Sequence, residues 1–268
     1  MRYFAGMFDA EGYVSLLKTG NFLIGMEMAN EEIPNLFKET FGGTIYTRKR
    51  DNRKKTFTWN IGTNRDLAVN FINLVFPFCF VKDAQLRLLK SHISSTREQK
   101  RKERDEIRRL LSGLKQPTPA SKNFFDTGEL KVVPETDFYE WFAGFIDGDG
   151  NFTLYESKKE RWIGFQSWFG VFNIHPEPIC YVRENLKGTI GTYHHSKNII
   201  WKWVCSQSIE QSVCQSLLPF LRIKKRAAEI IIEYHEIKKT KNRFVSYSLE
   251  DRDKIRDLIN QLKHINSL

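Results

Sequence analysis

A stretch near the start of the chain, Phe4-Ala5-Gly6-Met7-Phe8-Asp9-Ala10-Glu11-Gly12, returns as Phe142-Ala143-Gly144-Phe145-Ile146-Asp147-Gly148-Asp149-Gly150. Each copy reads as an apolar helix with a small pair at its middle, ending in acid-small-acid-Gly. Glycine inside a helix costs about 1 kcal/mol relative to alanine, and close approach of a second helix is the usual offset. The partner of one copy is then the other. Their acids sit at helix C-termini, where the helix dipole disfavours negative charge. Two carboxylates, Glu11 and Asp149, and two negative helix ends in one place call for a cation. Hard oxygen ligands favour Mg²⁺, whose open coordination positions accept phosphate oxygens and water. For one copy alone, acids that merely solvate a turn would explain Asp9, Glu11, Asp147 and Asp149. Two copies in matched contexts point to chemistry.

The elements that must position these acids also repeat. Gly43-Thr44-Ile45 recurs as Gly188-Thr189-Ile190, and Pro77-Phe78-Cys79-Phe80-Val81-Lys82 as Pro219-Phe220-Leu221-Arg222-Ile223-Lys224. The block 104–111 recurs, in order, as 252–259. The chain is therefore a duplicated unit. Residues 1–115 form one half and 137–268 the other. A linker over 116–136 is punctuated by Pro117, Pro119, Gly128 and Pro134. Strands are expected near Tyr13–Lys18, Phe22–Ala29, Phe152–Tyr155 and Phe165–Ile174, with further strands flanking 48–55 and 194–198. Thr56 to Ile61 alternates with period two, and Leu67–Val75 and Ile209–Leu218 read as amphipathic helices.

With 268 residues, 41% of them hydrophobic, the chain can bury a normal core. Its net charge of +10 and pI of about 9.4 suit a polyanionic partner. The four cysteines form no C-x-x-C pair, which argues against a disulfide framework or zinc site and fits a reducing, intracellular compartment. No signal peptide is expected, and the longest apolar run, 71–81, is too short to span a bilayer, so no membrane partner is expected. Abundant Phe, Lys, Ile and Asn fit an AT-rich genome, which makes a mitochondrion or chloroplast the first guess for localisation.

The paired nonapeptides resemble the LAGLIDADG homing endonucleases of the monomeric two-motif type, and the resemblance covers Phe4 to about Leu262. It implies an α+β fold of two pseudo-symmetric αββαββα halves, with motif helices packed at the centre and curved antiparallel sheets set in the DNA major groove. By motif position, Glu11 and Asp149 would be metal-binding carboxylates, with Ala10 and Gly148 offering backbone carbonyls. Lys82 and Lys224 resemble the active-site lysines of the family, and the polar position after strand two falls near Asn30 and His175. Phe4 and Phe142 replace the usual leading Leu, and Glu11 stands where Asp is commoner, so unequal cleavage of the two strands is expected. The implied reaction is Mg²⁺-dependent cleavage of double-stranded DNA across the minor groove, leaving short 3′ overhangs. Mn²⁺ or Ca²⁺ is expected to substitute in binding.

DNA contacts are expected from strand faces and loops: Arg48, Lys49, Arg50, Arg53, Lys54 and Lys55 in the first half, and Lys158, Lys159, Arg161, His194, His195 and Lys197 in the second. Tyr13, Ser15, Thr153, Tyr155 and Gln166 are candidate base readers. Strands of about ten residues span about 33 Å, so two halves imply a site of roughly 20 base pairs. The mixed run 97–109 reads as a solvated helix face, and Trp59, Trp201 and Trp203 as core. The runner-up is an RNA maturase assisting a group I intron, alone or as a second activity. A non-catalytic regulator would have lost a motif acid. An intein-embedded nuclease is disfavoured because no splicing domain is expected before Met1.

Overall fold

The computed structural model describes residues 1–49, 54–115, 135–159, 162–196, 198–239 and 247–267. The first half runs α1 (Arg2–Glu11), β1 (Gly12–Leu16), β2 (Phe22–Met28), α2 (Glu32–Phe41), β3 (Thr44–Arg48), β4 (Thr56–Asn60), α3 (Arg65–Val75), a 3₁₀ turn at Phe76–Phe78, α4 (Asp83–Ser94) and α5 (Arg97–Gly113). The second repeats the order as α6 (Glu135–Asp149), β5 (Gly150–Lys159), β6 (Trp162–Asn173), α7 (Pro176–Asn185), β7 (Gly188–His195), β8 (Asn198–Cys205), α8 (Glu210–Leu217), α9 (Lys225–Lys239) and α10 (Leu249–Ser267). Each half is thus the expected αββαββα unit followed by two more helices. The expected linker lies outside the described residues except for its last two positions, which already belong to α6.

Two four-stranded antiparallel sheets result, ordered β1-β2-β4-β3 and β5-β6-β8-β7. Register follows the alternation of side chains. In β1, Val14 and Leu16 turn into the core, leaving Tyr13 and Ser15 half-buried on the other face. The motif glycines hold matched places, since Gly12 pairs with Met26 and Gly150 with Val171. Met26 then pairs with Trp59 and Val171 with Trp203, and both tryptophans are fully buried. This shared frame makes Met28 the counterpart of Asn173. The second-half hairpin is longer than expected, with β5 and β6 paired from Gly150 to Lys159.

The motif helices α1 and α6 join the halves. A Cβ on Gly6 would lie 1.9 Å from the Trp141 carbonyl oxygen, and one on Gly144 would lie 2.0 Å from the Tyr3 carbonyl oxygen. Each glycine therefore admits the backbone of the other helix, which accounts for its presence in a helix interior. The buried residues of both halves form one continuous cluster. Across the junction, the Phe80 ring sits 4.9 Å from Trp141 and stacks on Tyr181 at 4.2 Å.

Candidate carboxylate centre and nucleic-acid face

Helix α1 ends at Glu11 and α6 at Asp149, and the helix packing brings these ends together. A Cβ on Gly148 would stand 2.4 Å from the Ala10 Cβ and 3.3 Å from the Glu11 Cγ. Burial, then the charge of Glu11, pushes the Asp149 carboxyl up to about 7. Burial also raises Glu11, against the pull of Lys224 and Lys82. The two acids share a poorly solvated, mutually repelling environment at two negative helix ends.

The neighbouring motif acids do something else. Asp9 is 1% exposed and Asp147 3% exposed, so neither solvates a turn. Asp9 accepts backbone N–H bonds from Phe80, Val81 and Lys82 at 2.7, 3.0 and 2.9 Å. Asp147 accepts from Arg222, Ile223 and Lys224 at 2.8, 3.2 and 2.8 Å. Each therefore clamps the segment that delivers its own half's lysine. Each clamp is completed from the other half: Trp141 Nε1 donates to Asp9 at 3.2 Å and the Tyr3 hydroxyl to Asp147 at 2.9 Å. Burial lifts Asp9 to about 6 against these donors.

The two lysines differ. Lys224 Nζ donates to the carbonyls of Ile146, Gly148 and Gly150 at 2.8, 3.0 and 2.6 Å. It places a cation on the negative end of α6 and already occupies one acceptor site of the Gly148 carbonyl. Lys82 Nζ has no hydrogen-bond partner among the described residues. Burial lowers the pKa of both, against the pull of nearby carboxylates.

The ends of the second strands lie beside the opposite half's lysine. Asn30, Met28, Glu11, Gly148 and Lys224 line a cleft of about 800 Å³, and Asn266 near the end of α10 reaches its rim and bonds the Phe152 carbonyl at 3.1 Å. Asn30 accepts from the Ile33 N–H at 3.2 Å, holding the start of α2. His175 is 8% exposed; burial, then the charge of Lys82, lowers its pKa to about 4. Sequence reasoning missed Asn173, two residues earlier, whose Nδ2 donates to Asp149 at 2.7 Å and whose Oδ1 accepts from the His175 N–H at 2.8 Å. Its counterpart, Met28, offers Glu11 no such bond. Only the paired-strand frame singles out Asn173; its local sequence carries no signal.

The donor set is hard oxygen. Among the described residues, no group of three or more His, Cys, Asp or Glu side chains gathers as a metal site. Two carboxylates with adjacent backbone carbonyls suit Mg²⁺, which commonly takes one or two carboxylates and completes its shell with water and phosphate. The shared repulsion of Glu11 and Asp149 is what such an ion relieves.

The expected nucleic-acid contacts spread over the sheets. Arg48 is exposed and 3.6 Å from Glu27; Lys49 and Lys54 are exposed; and the Lys55 ammonium sits 4.5 Å from the centre of the Phe57 ring. Arg50, Arg53, Arg161 and Lys197 lie outside the described residues. Lys158 and Lys159 fall in β5, and His194 and His195 are exposed at the end of β7. Ser15 accepts a 2.6 Å bond from Lys115. The exposed Tyr155 donates to Gln166 at 2.6 Å, Thr153 is half-buried, and Tyr13 lies across Gly25. Tyr46 and Tyr193, exposed on the strands, were not anticipated. Helix α5 is solvated as expected and carries ion pairs such as Lys102–Glu98 at 2.6 Å. No helix among the described residues is long and apolar enough to cross a membrane.

No protein-family model matches the chain. Solved structures do. A lysine-to-alanine variant of I-SmaMI is 18% identical with a TM-score of 0.69, over 97% of this chain and 98% of that one. The LAGLIDADG meganuclease I-AabMI bound to uncleaved DNA is 16% identical with a TM-score of 0.68, over 96% and 97%. The LAGLIDADG meganuclease I-CpaMI, also bound to uncleaved DNA, is 18% identical with a TM-score of 0.63, over 97% of each chain. I-SmaMI is also solved on uncleaved DNA with calcium ions and on cleaved DNA.

Proposed function

We propose that this chain, which has the two-motif LAGLIDADG homing endonuclease fold, is a site-specific endonuclease that makes a divalent-metal-dependent break in double-stranded DNA. The observation that carries the reading is the meeting of Glu11 and Asp149 at two helix ends, each carboxylate raised by burial. The DNA in the neighbouring structures, cleaved in one and accompanied by calcium in another, supports it. Glu11 and Asp149 would hold the ion, with Ala10 and Gly148 as backbone donors. A bound Mg²⁺ would act as a Lewis acid on the scissile phosphate and lower the pKa of a coordinated water. Lys82, poorly solvated and without a hydrogen-bond partner among the described residues, would offset charge that develops on the phosphate. Lys224, fixed by three carbonyls, is placed to steady the end of α6. Asn30 would order water in the cleft beside Lys224, and His175, neutral at pH 7, would do so near Lys82.

The sheets would carry specificity. The ten and twelve residues of β5 and β6 reach about 33 Å or more at 3.3 Å each, and a target of roughly 20 base pairs follows for two halves. Short 3′ overhangs and action as a monomer belong to the same reading. The test incubates the protein with Mg²⁺ and partly randomised long duplexes and sequences the cut ends. Cleavage at one long site, lost in Glu11→Gln and Asp149→Asn, supports the endonuclease. Tight binding of DNA or intron RNA without cutting in Mg²⁺ or Mn²⁺ overturns it in favour of a maturase or regulator.

A further inference from the structure

The paired-strand frame sets the outward faces of the two sheets against each other, position by position. Met26 matches Val171 and Trp59 matches Trp203; Ile45 and Ile190, paired with those tryptophans, match in turn. One residue beyond Met26 is Glu27, and one beyond Val171 is Phe172. Three beyond Ile45 is Arg48, and three beyond Ile190 is Tyr193. Three before Trp59 is Thr56, and three before Trp203 is Ile200. In the first half these positions form a charged cluster. The Arg48 guanidinium lies 3.6 Å from the Glu27 carboxylate, which accepts from the Thr56 hydroxyl at 2.8 Å. In the second half the same positions are apolar. The Tyr193 ring stands edge to face with Phe172, centres 6.2 Å apart, and Tyr193 pairs with Ile200. Trp168 meets the same Phe172 ring at 6.0 Å, where the first half has Leu23.

These side chains face away from the core. Phe169 and Val171 fill the buried side of β6, so Trp168 and Phe172 alternate to the other. With Val204 and Lys202 they line a furrow of about 430 Å³ that no acid borders. Contiguous exposed aromatic surface marks an interaction site. Apolar surface beside a cation, with no acid, suits a polyanion that also carries apolar groups. The major groove of DNA is one: it admits a β-ribbon, and each thymine presents a C5-methyl there. The face also runs into the carboxylate centre, because Asn173, next after Phe172, donates to Asp149 at 2.7 Å. Rings packed edge to face on one another leave no open slot for bases to stack in, which favours a groove over a single strand.

We propose that the two sheets read opposite chemistry in one target. Phe172, Tyr193 and Trp168 take thymine C5-methyl groups in the second half-site. Arg48 and Glu27 take a G·C pair in the first, Arg48 on guanine O6 and N7 and Glu27 on the cytosine N4 amino group. This rests on the duplex-DNA reading above and adds to it which residues set specificity and what each half-site contains.

The experiment selects long duplexes from a randomised library by binding to the full chain in Ca²⁺, with cleavage in Mg²⁺ scored separately. The selected site should be rich in thymine in one half and hold a fixed G·C pair in the other. It is then resynthesised with deoxyuridine for thymidine, one half at a time, which removes the methyl groups and keeps the base pairing. Affinity should fall about fourfold for each contacted methyl lost from the thymine-rich half, the effect of unburying one such group, and stay unchanged for the other half. In Phe172→Ala and Tyr193→Ala, with folding checked by melting curves, thymidine and deoxyuridine duplexes should bind alike, an outcome that general damage to the sheet would not produce. Arg48→Ala should relax the preference at the G·C pair by at least about fivefold and keep the deoxyuridine response. A site whose thymines can be replaced in both halves without loss, or a methyl response that survives both alanine variants, overturns the inference and leaves the endonuclease reading standing. Selection of no duplex overturns both, and binding of single-stranded RNA that depends on Phe172 and Tyr193 would then identify base stacking as the use of these rings.

Discussion

Replacing Asp149 with Asn should make the metal-free protein more stable while abolishing the DNA cleavage proposed for it. In the native chain the Asp149 carboxyl is lifted from an ordinary 3.8 to about 7 by burial and by Glu11. Below pH 3.8 the folded and unfolded chains are both protonated there. Between 3.8 and about 7 the folded chain keeps a proton that the unfolded chain has lost, so stability falls as pH rises through this window. At about 1.4 kcal/mol per pH unit, the full loss approaches roughly 4 kcal/mol, shared with Glu11 because the pair titrates together. An Asn at 149 cannot ionise, and its side-chain oxygen can still accept from Asn173. The variant in EDTA should therefore gain about 1–4 kcal/mol over the native chain at pH 8 and much less at pH 4. Denaturant unfolding at both pH values measures this. Adding Mg²⁺ should narrow the gap by up to about 2.7 kcal/mol at a hundred times its Kd, since the variant has lost half of the site. An Asp149→Asn protein less stable than the native chain at pH 8 in EDTA, or a gain equal at both pH values, would refute the argument from desolvation and repulsion.

Gly6→Ala should cost several kcal/mol, because its methyl would sit 1.9 Å from the Trp141 carbonyl oxygen and only separation of α1 from α6 relieves that; thermal melting and soluble yield report it. Asn173→Leu, which gives the Asp149 side the apolar neighbour that Glu11 has in Met28, should slow one strand's cleavage more than the other's and accumulate nicked plasmid. Equal slowing of both strands would count against separate roles for Glu11 and Asp149. Glu210→Ala should destabilise by about 1–3 kcal/mol, the cost typical of leaving buried polar groups unsatisfied, because Ser167 and His235 lose their common partner. A loss below 1 kcal/mol by urea unfolding would show that the network is not held together by its acid.

The duplication, the motif helices and the meeting of Glu11 with Asp149 were legible because each rests on a local pattern that appears twice. Gly6 and Gly144 announced a close helix contact by being glycines in a helix. Asp9 and Asp147 were read as acids of the same kind as Glu11 and Asp149, but their role depends on N–H groups some seventy residues away, which no local pattern reveals. Asn173 escaped because end-of-strand positions slide by a residue or two until pairing with β5 and β8 fixes the register.

The crossed clamps, Tyr3 onto Asp147 and Trp141 onto Asp9, bear on how such a chain can be recombined. A half transplanted from a relative brings its own acid but must find the right aromatic donor just ahead of the other half's motif. A chimera that matches Tyr3 and Trp141 to the acids they serve should assemble with its lysine-bearing segments in place. One that exchanges the halves without them leaves a buried carboxylate short of a donor on each side. Compatibility between modules is therefore written in the residues flanking the motifs, not in the sheets that would read DNA.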